Sequence, residues 1–306
     1  MAYFLAVDAG GTKAEFLLAD DDRELTRVLS GSIYRLNVSS DEARRNLDWA
    51  LGEITAKTGV SLSHVARTCV GTAGNSVPLV VDWLRENFAS RVSGDLHIVG
   101  DVEIALEAAF PSDRGILILA GTGSNVAGRG SDRRIVTAGG WGPVLANQGS
   151  GHWIGMEALR RGFLAIDERR PTHLLEMARN VWGLPSVEAL IEVGNAEPRP
   201  RFAELTPMVA ECAAEGDVIA ASILDQAGTD LGYLAQLVIE RIRSEETEKL
   251  PLPAIATAGS VVGKIERVRD ALIASLRSRY PEIRFVLEPT DPVLGALHYA
   301  RTMDDK

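Results

Sequence analysis

The sequence predicts an α/β protein of two domains in which one order of elements, βββαβαβα, occurs twice. Three observations support this prediction. The length of 306 residues suits two domains of ordinary size, since a domain averages roughly 100–200 residues. Short apolar runs alternate with amphipathic segments, as in sheets covered by helices. The succession of elements in the first 114 residues then starts again at residue 116.

The first half opens with three strand-like segments and continues with alternating helices and strands. Its first helix has the clearest limits, because Ser39 and Glu42 form a capping-box pattern and Gly59 follows the last apolar residue of helical spacing. Further helices are expected from near Ser76 and over residues 102–109. The predicted strands are residues 3–7, 14–19, 26–33, 68–71 and 96–99.

The second half repeats this plan around a long helical insertion at about residues 151–243, where Gly183, Pro198 and Pro200 separate the helices. The predicted strands are residues 116–120, 125–129, 134–138, 254–257 and 283–287, with helices over 262–279 and after Pro292. We expect one lobe of residues 1–114 plus about 290–306, a second lobe of residues 115–289, and a cleft between them.

Composition narrows the possible functions. Apolar residues make up 46% and charged residues 24%, as in ordinary globular proteins. The net charge of −10 argues against a nucleic-acid partner, which requires clustered Lys and Arg. The two cysteines, Cys69 and Cys212, are too few for a disulfide framework or a four-cysteine zinc site. Without a signal-peptide pattern or a membrane-span pattern, we expect a cytoplasmic protein that binds no membrane.

A glycine-rich turn joins the first two predicted strands. Gly10 and Gly11 allow backbone N–H groups to close around an anion, and Thr12 and Lys13 add a hydroxyl and a positive charge. Asp8, at the strand end, could hold Mg²⁺ through water. Taken alone, this segment is more typical of a plain β-hairpin turn.

A second glycine-rich turn occupies the equivalent place in the second half, at Gly121, Thr122 and Gly123. Two such turns facing a cleft are what a bound nucleoside triphosphate requires. No Gly-Lys-Ser/Thr opens a helix, so this is not a Walker loop. Gly259 and Ser260 follow a predicted strand and could meet the nucleoside part, although a simple turn glycine is the alternative.

Together these motifs resemble the N-acetylglucosamine kinase branch of the BadF/BadG-type ATPases, within the sugar kinase, Hsp70 and actin superfamily. The similarity covers residues 8–13, 70–74, 119–125, 257–263 and 295–296, and most specifically the signature at 139–142 and 149–155. The resemblance implies a two-lobed actin-like ATPase fold of ribonuclease H type. It also implies ATP and Mg²⁺ as cofactors, an amino sugar as substrate, and a homodimer.

The resemblance also implies roles for individual residues. Asp101 matches the family's catalytic carboxylate, and an Asp there could accept a proton from a sugar hydroxyl; a helix N-cap is its alternative role. Asn37, Thr72 and Gly123 fall at sugar-binding positions, although Asn37 could also be an ordinary turn residue. Trp141 is expected to line the sugar site or, alternatively, to plug its loop into the domain.

The implied reaction transfers the γ-phosphoryl group of ATP to the 6-hydroxyl of N-acetylglucosamine. Glucosamine or another amino sugar is the alternative within the family. One departure concerns Ala146, Asn147 and Gln148, because the resembling kinases usually carry Gly-Asp-Glu there and their Asp contacts the sugar. Asn147 is expected to bind substrate with altered hydrogen bonding. His152 and Trp153 are assigned to the buried face of a helix, without a chemical role.

Two functions of other classes are alternatives to a sugar kinase. An ATPase activator of a CoA dehydratase holds an iron–sulfur cluster and needs paired cysteine thiolates, whereas Cys69 and Cys212 look like small core residues. A sugar-sensing repressor needs a DNA-binding helix-turn-helix, and we expect none ahead of the first strand.

Overall fold

The computed structural model describes residues 2–142, 144–197, 199–246, 250–286 and 290–303. Within them the strands are β1 (Tyr3–Ala9), β2 (Lys13–Ala19), β3 (Glu24–Gly31), β4 (Val65–Thr72), β5 (Asp95–Gly100), β6 (Gly115–Ala120), β7 (Ser124–Arg129), β8 (Ile135–Gly139), β9 (Ile255–Ala258) and β10 (Phe285–Val286). The α-helices are α1 (Ser40–Thr58), α2 (Pro78–Ala89), α3 (Asp101–Ala109), α4 (Gly151–Asp167), α5 (Leu174–Val181), α6 (Ala189–Gly194), α7 (Thr206–Ala214), α8 (Val218–Glu245), α9 (Ser260–Lys264), α10 (Glu266–Arg279) and α11 (Pro292–Thr302).

The chain forms two compact units. Unit 1 contains Met1–Gly115 with Pro289–Lys306, and unit 2 contains Ile116–Glu288. No helix of the described residues combines the length and apolar character needed to cross a membrane.

Unit 1 is built on a five-stranded sheet of order β3-β2-β1-β4-β5. The first three strands are antiparallel, whereas β1, β4 and β5 run parallel. Successive side chains of β1 enter different cores, as strand geometry requires: Leu5 and Val7 join the core containing α1 and α2, whereas Phe4 and Ala6 join the core containing α3 and α11. Helices therefore cover both faces of the sheet.

Unit 2 repeats this arrangement. Its strand order β10-β9-β6-β7-β8, read from the other edge, is that of unit 1. The strand pairs β6–β9 and β9–β10 are parallel and β7–β8 is antiparallel, as in the equivalent pairs of unit 1. Helices α4 to α8 lie between β8 and β9, so the structure confirms both the duplication and the helical insertion.

Local sequence signals explain the best-defined helix. The Ser39 hydroxyl accepts a hydrogen bond from the Glu42 N–H, at 3.2 Å, and so caps the start of α1. Gly59 ends α1 in the left-handed region, with φ of 68°. The helix therefore begins and ends as the capping pattern predicts.

Most strands differ from the predicted ranges by a few residues at one or both ends. β3 ends at Gly31, not at residue 33, because Ser32 turns away and its hydroxyl donates to the Gly10 carbonyl. The single helix expected over 262–279 is two helices, separated by the extended backbone of Ile265. The last strand covers Phe285–Val286, and residue 287 of its predicted range lies outside the described residues.

Candidate active site

The parallel strands of unit 1 bring three predicted site residues to one edge of the sheet. In the register, Asp8 of β1 pairs with Gly71 of β4, and Thr72 of β4 pairs with Gly100 of β5. Asp101 follows directly as the first residue of α3. Because the carboxyl ends of parallel strands share one edge, Asp8, Thr72 and Asp101 are neighbours there.

The glycine-rich turn between β1 and β2 is held from behind by two side chains. The Ser32 hydroxyl donates to the Gly10 carbonyl at 2.9 Å, and the Asn37 side-chain amide donates to the Gly11 carbonyl at 2.9 Å. In a trans peptide the C=O and the following N–H point in opposite directions. Pinning both carbonyls therefore turns the N–H groups of Gly11 and Thr12 the other way, where an anion can bind them.

Glycine suits this turn because its neighbours come close. A Cβ atom on Gly11 would lie 2.9 Å from Asn37 Nδ2, and one on Gly10 would lie 3.0 Å from the Lys13 carbonyl oxygen. Asn37, expected to contact the sugar, thus has a bracing contact to the turn. A sugar contact from its remaining polar atoms stays a prediction.

Asp101 occupies the junction between β5 and α3. The N-cap of α3 is Gly100, so the alternative role of Asp101 as N-cap is wrong. Its Oδ1 atom accepts instead from the next backbone N–H, that of Val102, at 2.8 Å. Burial raises the pKa of Asp101, and this hydrogen bond only partly opposes the increase.

Asp8 is affected by burial in the same way as Asp101. Burial, followed by the charges of Asp101 and Glu15, raises the pKa of Asp8 to about 7, while Lys13 acts in the opposite direction. The two carboxyl groups are therefore close enough to influence each other. Glu15 itself forms an ion pair with Arg27 at 3.3 Å.

Thr72 has a clear structural contact. Its side chain is buried, and the hydroxyl donates toward the carbonyls of Ala9 and Ala73, at 3.4 and 3.2 Å. The hydroxyl thus joins the ends of β1 and β4, and its expected contact with substrate stays a prediction.

Sequence reasoning missed two residues that hold the turn before Asp101. Glu103 Oε1 accepts from the Gly100 N–H at 3.1 Å and from the Asn75 side-chain amide at 3.3 Å. An acidic residue three positions after the N-cap is the signal that could have identified Glu103. Asn75 has no comparable signal, because it lies 28 residues away in sequence.

The glycine-rich turn of unit 2 is held by a helix start. The first two N–H groups of α4, from Gly151 and His152, donate to the carbonyls of Gly121 and Thr122, at 2.7 and 3.1 Å. By the same peptide geometry, the N–H groups of Thr122 and Gly123 point away from α4. The two units therefore prepare similar sets of backbone donors by different means.

Asn147 supports this second turn. Its side chain is buried, and its Oδ1 accepts from the Ser124 N–H at 2.7 Å. The Ser124 hydroxyl in turn donates to the Gln148 carbonyl at 2.7 Å. Asn147 is expected to bind substrate, and because its oxygen is used within the protein, its NH₂ group is the end available for such a contact.

Three buried polar atoms near this turn lack a hydrogen-bond partner among the described residues: Asn125 Oδ1, Gln148 Oε1 and His152 Nε2. Burial, and secondly the charge of Arg199, lowers the pKa of His152, which favours the neutral ring. His152 packs edge-on against Phe202, with ring centroids 5.2 Å apart. It is half-buried, and its packing agrees with the structural role expected from the sequence.

Trp141 lies in an exposed loop. Its side chain is 74% exposed, and those of Val144 and Leu145 are 62% and 80% exposed. The alternative in which Trp141 plugs its loop into the domain is therefore wrong. Gly140 and Gly142, on either side, have φ angles of 75° and 93°, which glycine adopts readily.

Gly259 stands between β9 and α9, and Ser260 is the first residue of α9. Gly259 has φ of 97°, and a Cβ atom there would lie 2.4 Å from the Ala120 carbonyl oxygen at the end of β6. Glycine is thus required by close backbone approach. A cavity of about 630 Å³ lies at the other end of α9, lined in part by Lys264 and Asp225, and includes neither Gly259 nor Ser260.

The duplicated sheets and the two braced glycine turns define the class of protein as a two-lobed α/β ATPase. The chain belongs to the BadF/BadG/BcrA/BcrD ATPase family, whose model matches residues 5–300. This confirms the resemblance found in the sequence.

Similar proteins extend over the whole chain. The N-acetylmuramic acid/N-acetylglucosamine kinase of Clostridium acetobutylicum is 29% identical over 313 residues, covering 100% of both chains. The N-acetyl-D-glucosamine kinase of Dictyostelium discoideum is 28% identical and covers 96% of both.

Solved structures agree on the fold. A structure from Chromobacterium violaceum, described as an N-acetylglucosamine kinase, is 25% identical, covers 97% of this chain and 98% of that one, and has a TM-score of 0.74. A ROK family glucokinase from Streptomyces griseus, 17% identical, covers 99% of this chain and 100% of that one, with a TM-score of 0.56. At that identity the glucokinase supports the fold alone.

Proposed function

We propose that the protein is an ATP-dependent amino-sugar kinase that transfers the γ-phosphoryl group of ATP to the 6-hydroxyl of N-acetylglucosamine. The observation that carries this proposal is the placement of Asp101 at the same sheet edge as the braced glycine turn of unit 1. The names of the two full-length relatives support an N-acetylated hexosamine as the acceptor.

Asp101 is the proposed general base. As the 6-oxygen of the sugar bonds to the γ-phosphorus and the bond from that phosphorus to the ADP oxygen breaks, the hydroxyl proton passes to the Asp101 carboxylate. Burial raises the pKa of Asp101, which makes it a stronger proton acceptor than an exposed aspartate. Glu103 positions it by holding the preceding Gly100 N–H.

The glycine turns are the proposed phosphate-binding groups. In unit 1 the N–H groups of Gly11 and Thr12 are turned away from their bracing side chains, and Lys13 adds a positive charge. In unit 2 the N–H groups of Thr122 and Gly123 are presented similarly. Backbone donors fixed in this way stabilise negative charge at small entropic cost.

The residues near Asp8 fit a magnesium ion. The described residues hold no cluster of three or more metal-binding side chains. Mg²⁺ in kinases is typically held by one or two carboxylates, water and substrate phosphates. Burial and the charges of Asp101 and Glu15 raise the pKa of Asp8, so a cation there would relieve an unfavourable concentration of negative charge. Bound Mg²⁺ would neutralise phosphate charge, with Asp8 holding it through water.

N-acetylmuramic acid is a second candidate acceptor. It carries a carboxylate that N-acetylglucosamine lacks, and the chain has the amides Asn147 and Gln148 where the resembling kinases usually carry carboxylates. Fewer negative charges would weaken repulsion of an anionic sugar. The name of the Clostridium relative includes this sugar.

The cysteines disfavour the dehydratase-activator alternative. Cys69 and Cys212 are both buried and belong to different units. Burial raises the pKa of Cys69 to about 12 and that of Cys212 to about 11, so neither is a ready thiolate ligand. A homodimer, which the resemblance implies, and a cytoplasmic location, which is the expectation from the sequence, remain part of the proposal.

The test is a coupled ADP-release assay with a panel of N-acetylglucosamine, N-acetylmuramic acid, glucosamine and N-acetylmannosamine. We expect ADP release that requires an N-acetylated sugar, and a product phosphorylated at the 6-oxygen by ³¹P–¹H NMR. Asp101→Asn should lower kcat by about 10²–10⁴-fold. ATP hydrolysis independent of every sugar would refute the kinase proposal, and more than about a tenth of kcat in Asp101→Asn would refute the role of Asp101.

A further inference from the structure

The short segment between β3 and α1 is attached firmly to the glycine turn of unit 1. Ser32 and Asn37 make the two hydrogen bonds to Gly10 and Gly11, as described above. Between them lies Tyr34, whose N–H donates to the Ser32 hydroxyl at 3.1 Å and whose carbonyl accepts from the Asn37 N–H at 2.9 Å. The backbone of Tyr34 is thus fixed on both sides.

The Tyr34 side chain extends toward the sheet edge that carries Asp101, where Thr72 at the end of β4 pairs with Gly100 of β5. Its ring packs against the core that contains α1 and α2. Its hydroxyl lies beside the segment after β4, where a Cβ atom built on Gly74 would be 3.3 Å away. Burial, and secondly the charge of Asp101, raises the pKa of Tyr34, so its phenol keeps its proton and can donate it.

The Tyr34 hydroxyl makes no hydrogen bond to any described residue, although the side chain is half-buried. A tyrosine hydroxyl usually finds a hydrogen-bond partner once it is buried, as it would be under a bound ligand. The aromatic ring alone accounts for the packing, so the hydroxyl has no evident structural use. A ligand that places an oxygen near Asp101 would supply the partner.

We propose that the Tyr34 hydroxyl is a further sugar contact, donating a hydrogen bond to the oxygen next to the hydroxyl that is phosphorylated. The inference rests on the proposed function. If the 6-hydroxyl faces Asp101, the neighbouring oxygens of a hexose are the 4-hydroxyl and the ring oxygen, and the 4-hydroxyl is the one whose direction differs between sugar epimers. Tyr34 would therefore help to determine which epimer is accepted.

Tyr34→Phe tests this role, because it removes the hydroxyl and keeps the ring. We expect kcat/KM for N-acetylglucosamine to fall about 3- to 10-fold, the effect of one neutral hydrogen bond. The KM for ATP and the melting temperature should not change. The preference over N-acetylgalactosamine, the 4-epimer, should fall as well. Tyr233→Phe is the matched control, since Tyr233 lies on α8 of unit 2 with its side chain 58% exposed.

The outcomes separate the two proposals. If the wild-type protein phosphorylates no amino sugar, the proposed function and this inference both fail. If the wild-type protein is active and Tyr34→Phe has an unchanged kcat/KM and an unchanged epimer preference, the inference alone fails. A fall in melting temperature with unchanged kinetics would also overturn it, because the hydroxyl would then serve the fold.

Discussion

Asp8 and Asp101 show that a useful carboxylate can oppose folding. Their burial raises both pKa values, which means that the ionised forms are less favourable in the folded protein than in water. In the proposed function, a bound cation would stabilise the Asp8 carboxylate, and a proton taken from substrate would neutralise the Asp101 carboxylate. Functional sites commonly carry such a cost in stability.

The pH dependence of stability should reveal this cost at Asp8. An aspartate near 3.8 when unfolded and about 7 when folded contributes stability below pH 3.8, and that contribution is lost as the pH rises through 7. Asp8→Asn should therefore raise the free energy of unfolding of the ligand-free protein at pH 8, by an amount on the order of 1–4 kcal/mol, raise its melting temperature accordingly, and have little effect at pH 4.

Thermal unfolding without nucleotide or metal measures this effect from pH 4 to pH 8. Asp22→Asn is the control, because Asp22 is an exposed aspartate in the β2–β3 turn of the same unit. A difference between Asp8→Asn and wild type that does not grow with pH would contradict the argument.

Asn147 and Gln148 are neutral amides, and replacing them with carboxylates tests whether these positions influence the preference for charged or neutral sugars. Asn147 Oδ1 already accepts from Ser124 N–H, and a carboxylate could accept the same bond, so Asn147→Asp should preserve the turn. Asn147→Asp with Gln148→Glu adds two negative charges. We expect the double variant to raise the kcat/KM ratio of glucosamine, a cation, over neutral N-acetylglucosamine.

The size of this change follows from screened charge interactions of about 1 kcal/mol, or roughly fivefold in the ratio. The same variant should lose activity toward N-acetylmuramic acid, which is an anion. Steady-state kinetics at two ionic strengths provide the measurement, since the shift should shrink in high salt. A ratio that is unchanged or lower would show that these positions do not sense substrate charge.

Side-chain roles were harder to predict than site location. The sequence placed Asp8 and Asp101 at strand ends, because the order of strands and turns can be read from local pattern. It assigned Asn37 and Asn147 to substrate, which stays a prediction, and it did not show that their amides also brace the glycine turns. The sequence did not predict a role for Tyr34, because its position near the sheet edge of Asp101 depends on contacts between residues that are distant in sequence.

At the scale of elements, helix contacts depend on glycine where backbones come very close. Gly295 of α11 faces α3, and a Cβ atom there would lie 1.8 Å from the Ile104 carbonyl oxygen. Gly52 of α1 has no atom within 4 Å of the equivalent position. Both are helical glycines, so they form a matched pair that differs only in surroundings.

Alanine should affect the two helices in opposite directions. Gly52→Ala should stabilise the protein by about 0.5–1 kcal/mol, because alanine favours helix in open space. Gly295→Ala should destabilise it by roughly 1–3 kcal/mol, since α11 must move away from α3. Denaturant titration measures both variants. Equal effects of the two substitutions would contradict the packing explanation.

Helix limits were predictable where the signal was local, as at Ser39 and Gly59 of α1. The break at Ile265 was not predictable, because residues 262–279 contain no proline, and their one glycine, Gly263, lies two residues before the break. The separation of α9 from α10 is a matter of tertiary packing, which periodicity does not report.

At the scale of the whole molecule, the duplicated fold gives each unit one glycine turn with oriented backbone donors. Unit 1 adds Lys13 and the two carboxylates, and unit 2 adds the support of α4. The repeat was visible in the sequence because each half must form the same strand order. The division of these groups between the units predicts that binding and chemistry can be separated by substitution.

Ligand binding should stabilise the folded chain even when catalysis is lost. A ligand at 100 times its Kd adds about 2.7 kcal/mol, which corresponds to a rise of roughly 5–10 °C in melting temperature for units of this size. We expect this rise with N-acetylglucosamine plus a non-hydrolysable ATP analogue and Mg²⁺. Asp101→Asn should retain most of it, because the substitution removes the proton acceptor and keeps the hydrogen-bonding shape.

Lys13→Ala provides the contrast, because it removes the cation of the unit 1 turn. It should reduce the rise in melting temperature caused by the ATP analogue. The rise caused by the sugar without nucleotide should not change. Differential scanning fluorimetry over ligand concentration measures each contribution separately. If Asp101→Asn lost the response to both ligands, Asp101 would be a binding residue above all, and its low kcat would no longer indicate a general base. If neither ligand changed the melting temperature of the wild-type protein, the glycine turns would not be its phosphate-binding groups.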